Sequence, residues 1–104
     1  MDAQLRIYTV KPGQLAAWLE EWRSQVASLR ERFGFRVLGP WIDEATSTFV
    51  WLLEYDGDDG FAAADERYYT SEQRRALDPD PARHLASIET RLLRRVETDR
   101  GPDR

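Results

Sequence analysis

Thr48-Phe49-Val50-Trp51-Leu52-Leu53-Glu54-Tyr55 carries five apolar residues in succession, so as a strand it presents apolar side chains on both faces. Such a strand sits inside a sheet and needs cover above and below. The segment before it, Phe35 to Asp43, reads as a second strand, and the polar turn Glu44-Ala45-Thr46-Ser47 joins the two into a hairpin. Its Gly39-Pro40 pair is tolerated mainly at a sheet edge or a bulge. Further out, Leu5, Ile7 and Thr9 alternate with Arg6, Tyr8 and Val10, a first strand that Lys11-Pro12-Gly13 ends. From Gln14 to Arg32 the apolar residues Leu15, Trp18, Leu19, Trp22, Val26 and Leu29 share one helical stripe. Glu20, Glu21, Arg23, Arg30 and Glu31 fall outside that stripe and are expected in water. Gly34 stands where a helix ends on left-handed dihedrals.

After Tyr55 comes the turn-rich loop Asp56-Gly57-Asp58-Asp59-Gly60. Phe61, Ala64 and Tyr68 are spaced for a short helix, and Thr70-Ser71-Glu72-Gln73 has capping-box form for another ending near Leu77. Asp78-Pro79-Asp80-Pro81 breaks that helix, with Asp80 placed to cap a new turn and Pro81 to open it. The stretch from Leu85 to Glu97 fits either pattern: Leu85, Ile88, Leu92 and Val96 make a helical face, while Ala86, Ile88, Thr90 and Leu92 make a strand face. Topology decides for a strand over Ser87–Val96. The order β-α-β-β-α-β is the ferredoxin-like split βαβ unit, an α+β fold whose antiparallel sheet runs 4-1-3-2. That order puts the doubly apolar strand in the interior and leaves the Pro40 strand and the arginine-bearing last strand at the edges. Residues 1–97 are read as one domain and 98–104 as a tail without apolar anchors. One helical layer covers only one sheet face, so the cover for the other is unaccounted for.

The 104 residues fit one domain, and 41% hydrophobic with 12% aromatic residues gives it an aromatic-rich interior. Absence of cysteine excludes disulfides, thiolate chemistry and cysteine-bound metals, and a single histidine excludes a histidine-rich metal centre. The net charge of −4 argues against nucleic acid as a partner. No long apolar run suggests a membrane span, so a cytoplasmic setting is expected. The acidic loop from Asp56 fails as a calcium loop, because the position that needs glutamate holds Arg67. No metal and no cofactor is expected.

Leu5-Arg6-Ile7-Tyr8-Thr9-Val10-Lys11-Pro12-Gly13, running straight into the amphipathic helix, resembles the opening of the NIPSNAP family. Phe49-Val50-Trp51-Leu52-Leu53-Glu54-Tyr55-Asp56 resembles that family's apolar strand, and Glu89-Thr90-Arg91-Leu92-Leu93-Arg94 its final one. Tyr68-Tyr69-Thr70-Ser71-Glu72 and Ala76-Leu77-Asp78-Pro79-Asp80-Pro81-Ala82 look like a small bacterial branch of it. The resemblance implies a dimeric α/β barrel, a homodimer in which two such sheets pack face to face, and this supplies the missing cover. It narrows fold more than activity, since relatives by fold include cofactor-independent monooxygenases, haem-degrading enzymes, isomerases and binding proteins.

Candidate site residues follow from chemistry and position. Tyr8, Trp18, Trp22, Trp51 and Tyr55 could wall a pocket between helix and sheet for a small apolar or aromatic molecule; plain core packing is the competing account of the same residues. Arg6, a charge inside a central strand, needs a partner: either Glu54, with Arg91 competing for it, or a ligand carboxylate. His84 titrates nearest neutrality and is the natural acid–base group, although its place after Pro81-Ala82-Arg83 argues for a solvated side chain. Tyr8, Tyr55, Tyr68 and Tyr69 can donate hydrogen bonds to a substrate carbonyl or enolate; half-buried rim residues are the competing account of the same tyrosines. Three functions remain open on this reading: a binding protein, a cofactor-independent monooxygenase, isomerase or cyclase with Tyr8, Arg6 or His84 handling protons, and a structural protein with a filled core.

Overall fold

A computed structural model describes residues 2–96. Its elements run β1 (Asp2–Val10), α1 (Leu15–Glu21), a π-helical turn (Trp22–Val26), α2 (Ala27–Arg32), β2 (Arg36–Asp43), β3 (Thr48–Tyr55), α3 (Phe61–Thr70), α4 (Glu72–Arg75), a 3-10 turn (Pro81–His84) and β4 (Leu85–Arg94). The sheet is antiparallel with order β2-β3-β1-β4, the arrangement expected of the ferredoxin-like α+β fold. β4 begins two residues earlier than the sequence pattern placed it, because the 3-10 turn hands the chain directly to Leu85. The tail expected over 98–104 lies outside the described residues.

Local chemistry sets the boundaries. Gly34 takes φ +94°, and the amides of Gly34 and Phe35 donate back to the Glu31 and Arg30 carbonyls at 3.0 and 3.1 Å, closing the helix in a Schellman motif. Asp80 Oδ1 accepts from the Ala82 amide at 2.9 Å, the expected cap, whereas α4 is capped one residue later than the Thr70–Gln73 spacing implies, by Ser71 Oγ accepting from the Arg74 amide at 3.0 Å, because α3 runs on through Thr70. The Gly39-Pro40 pair sits in a register break between Leu38 and Trp41 on the edge strand β2.

The α1–α2 stretch is continuous but not uniformly α-helical. The Ala27 amide reaches back five residues to the Trp22 carbonyl, so one turn holds an extra residue and everything beyond it is turned back by about 100°. Arg30, expected in water, is therefore buried at 1% exposure.

Phe49, Trp51 and Leu53 of β3 lie under the helices with Tyr8 and Val10 of β1, and Trp18, Trp22, Val26 and Leu29 close over them. Ring centroids of Trp22 stand 5.3 Å from Phe49 and 5.4 Å from Trp51, both edge-to-face, a favourable aromatic geometry. On the other sheet face Leu5 lies opposite Leu52, Ile7 opposite Val50, and Trp41 beside Val50. The helices leave that face uncovered, with Trp41 56% exposed. Among the described residues no helix is long and apolar enough to cross a membrane.

Candidate functional site

Between the sheet and the helices lies a recess of about 80 Å³, walled by Tyr8 and Trp51 from the sheet, Trp18 and Arg30 from the long helix, and Tyr68 and Tyr69 from α3. Pro81, Ala82 and Leu85 close its far end. Tyr69 and Arg74 also line a shallow surface depression outside, so they stand between the recess and solvent. Arg74 is held there by Asp80 at 3.1 Å.

Two buried guanidinium groups support these walls by different means. Arg30 forms an ion pair with Asp65 at 2.8 Å and lies 3.8 Å over the Tyr68 ring and 4.7 Å from that of Phe35. Arg6, 3% exposed, has neutral partners. Its Nε donates to Tyr8 Oη and its Nη2 to Tyr69 Oη, each at 2.7 Å, while Nη1 donates to Gln4 Oε1. Among the described residues no carboxylate lies within ion-pair distance of it. Burial opposes its charge, yet the Tyr8 and Tyr69 oxygens outweigh burial and hold its pKa above the ordinary arginine value.

The pairing with Glu54 does not form, and strand parity is the reason. Arg6 lies opposite Trp51, whereas Glu54 lies opposite Ala3. Side chains alternate between faces, so Arg6 points under the helices and Glu54 to the open face, where Arg36 holds it at 3.1 Å. Arg91, opposite Leu5, is also on the open face and pairs with Glu89.

Of the anticipated site residues, Tyr8, Trp18, Trp51 and Tyr68 meet at the recess, and Arg6 stands behind it through two tyrosine hydroxyls. Trp22 is core beneath the sheet. Tyr55 shares the helix-covered face but lies at the far end of β3, its ring 5.3 Å from that of Phe35, outside the recess, and it donates to Asp59 at 2.6 Å. His84 is buried rather than solvated: Nδ1 lies 2.7 Å from Gln14 Oε1, and Nε2 approaches Glu21 Oε2 at 3.2 Å without the alignment of a hydrogen bond. Tyr69, anticipated as a hydrogen-bond donor, also lines the recess. Arg30 and Arg74 were missed, and Arg30 had no visible signal, because a regular helix points it outward.

The recess is rich in donors and poor in acceptors. Trp18 Nε1, Tyr68 Oη and Arg30 Nε are buried and find no protein hydrogen-bond partner among the described residues, while the Trp51 indole approaches the Tyr8 hydroxyl as a donor. Burial pushes the Tyr8 phenol up, with Arg6 opposing, and pushes Tyr68 up with Arg30 opposing, so both stay protonated at neutral pH. Among the described residues no aspartate, glutamate or histidine lines the walls. The arrangement can therefore donate hydrogen bonds to a bound group and polarise it, while a proton acceptor has to come from the bound molecule or from water. Among the described residues no cluster of three or more acidic or histidine side chains has the makings of a metal site.

A NIPSNAP uncharacterised-domain structure from Burkholderia xenovorans is similar at TM-score 0.79 and 23% identity, covering 99% of this chain and 100% of that one. A NIPSNAP family protein from Agrobacterium tumefaciens is similar at 0.80 and 20% identity, covering 99% and 98%. A putative antibiotic biosynthesis monooxygenase from Nitrosomonas europaea shares the fold at 0.70 and 13% identity, covering 93% and 100%. Comparison with the curated proteins finds no match. The NIPSNAP family model matches residues 3–98, essentially the whole of the sheet and helices just described, and the chain belongs to the NIPSNAP family.

Proposed function

We propose that this protein binds a small, flat metabolite in the recess between helices and sheet, acting in the cytoplasm as a homodimer whose open sheet faces pack together. The observation that carries the reading is the recess itself: aromatic walls from three elements converge on a concave space with arginines close by. At about 80 Å³ it is roughly half the ~150 Å³ cavity that accommodates benzene, so the occupant is compact or Tyr69 and Arg74 move aside for it. Half-buried Leu5, Ile7, Val50 and Leu52 on the uncovered face support the dimer.

Cofactor-independent catalysis in the same recess is the second reading. It draws on the fold shared with a putative antibiotic biosynthesis monooxygenase and on phenol and indole donors suited to stabilising an enolate. With no carboxylate or imidazole among the described wall residues to accept a proton, the substrate would have to enter already ionised or give its proton to water.

Native mass spectrometry of protein purified from its own host tests the binding reading. A defined small-molecule adduct on the folded assembly is expected. Bare protein, together with no change in tryptophan fluorescence across a series of flat aromatic compounds, would favour the filled-core alternative.

A further inference from the structure

We propose that the ligand of this recess is a compact planar carboxylate, recognised by the hydroxyls of Tyr8 and Tyr69, with Arg6 supplying the balancing charge from behind. The inference rests on the recess being the ligand site and adds the chemical class.

Charge is the first ground. Three arginines surround the recess, and two are paired: Arg30 with Asp65 at 2.8 Å and Arg74 with Asp80 at 3.1 Å. Arg6 has no acidic partner among the described residues, so the cluster keeps one positive charge in a buried setting. One bound monoanion neutralises it.

Donor geometry is the second. Arg6 donates into both tyrosine oxygens at 2.7 Å, which occupies acceptor sites on each hydroxyl and leaves its hydrogen free for another acceptor. Trp18 Nε1 and Tyr68 Oη, on two other wall residues, are also buried without a protein acceptor among the described residues. A neutral hydrocarbon would leave all of them unsatisfied, and an amide would bring donors of its own into a space already rich in them. A carboxylate offers two oxygens, no donor hydrogen and the matching charge. The aromatic walls then favour a flat body behind the carboxylate. Arg6 is a positioning residue on this account, since it acts through Tyr8 and Tyr69.

The test titrates the full-length protein with acetate, propenoate and benzoate, with their amides, acetamide, propenamide and benzamide, and with naphthalene, at constant ionic strength. Side-chain indole N–H resonances report where each probe binds. At least one acid is expected to bind ten-fold or more tighter than its amide, shifting the Trp18 and Trp51 signals and leaving exposed Trp41 unmoved. Arg6→Met should remove the preference for acid over amide, and Tyr69→Phe, at a residue 41% exposed and so tolerant of change, should lower acid affinity several-fold. Selectivity is the readout that a merely structural Arg6 would not move. Amides or naphthalene binding at Trp18 and Trp51 as well as the acids do, or Tyr69→Phe leaving acid affinity unchanged, overturns the carboxylate assignment while the recess stays a ligand site. No response at Trp18 or Trp51 to any acid, amide or naphthalene overturns both.

Discussion

Replacing each buried arginine by methionine should separate a residue kept for binding from one kept for stability. Arg6 makes three hydrogen bonds to neutral oxygens, and at about 1.5–3 kcal/mol for each bond to a charged group they contribute roughly 5–9 kcal/mol. Against that stands the loss of hydration of an ion with no opposite charge, several kcal/mol at least. Methionine fills similar space and tolerates aromatic neighbours, so Arg6→Met is expected to fall within about 2 kcal/mol of the parent in either direction. Arg30→Met differs. It removes the partner of Asp65, which is 25% exposed and can partly rehydrate, and it removes a cation seated on the Tyr68 ring. A cost of about 3 kcal/mol is expected, the low end for breaking a buried pair. Urea unfolding at one fixed protein concentration, followed by tryptophan fluorescence, measures both. With a slope near 1.5 kcal/mol/M, the Arg30 variant should unfold about 2 M earlier and the Arg6 variant within about 1.3 M of the parent. If Arg6→Met loses as much stability as Arg30→Met, Arg6 is a structural residue and the reasoning about an uncompensated charge is wrong.

Three other outcomes are expected. Hydrogen bonding from Arg83 holds the Glu21 carboxyl below the usual range, and Tyr55, then Arg67, do so for Asp59; their stabilisation is in place above the unfolded carboxylate values near pH 4 and lost as pH falls through the depressed ones. Melting temperature should thus hold from pH 7 to about 5 and drop below about 4, and Glu21→Gln should make the acid limb shallower; an unchanged limb counts against it. Leu52→Glu, at the middle of the uncovered sheet face, should convert a two-chain mass to one chain in light scattering at micromolar concentration, and a single-chain mass for the parent contradicts the dimer. A Cβ at Gly57 would collide with the Tyr55 hydroxyl, so Gly57→Ala should displace Tyr55 from Asp59 and lower the melting temperature only slightly, the pair being exposed. In a Tyr55→Ala background the same change should be neutral by thermal melting.

Fold was legible wherever local pattern and topology agreed. Five apolar residues in β3 and the Gly-Pro pair of β2, read with the order of the elements, indicated the sheet order without any contact information, and the cap at Asp80 had a direct physical reading of its own. The site was legible in part. Tyr8, Trp18 and Trp51 were visible because apolar periodicity aims them under the helices. The Arg6–Glu54 pairing failed on register, which sets which face each residue takes and which a one-residue slip reverses. Arg30 failed because nothing in its neighbourhood announces a π-helical turn, and an ideal helix points it to solvent. His84 failed for a related reason: the sequence shows a turn after Pro81 but not that the turn docks on Gln14 and Glu21.

That π-helical turn makes chain length a determinant of the recess. A substitution within Trp22–Val26 changes one side chain, but removing a single residue there would restore a regular helix and rotate everything downstream by about 100°. Arg30 would swing out to solvent, Tyr68 would lose the cation on its ring, and the wall that Arg30 and Val26 now form would be rebuilt from their neighbours. Two chains alike in every side chain around this cavity, but differing by one residue in this helix, would therefore enclose chemically different spaces.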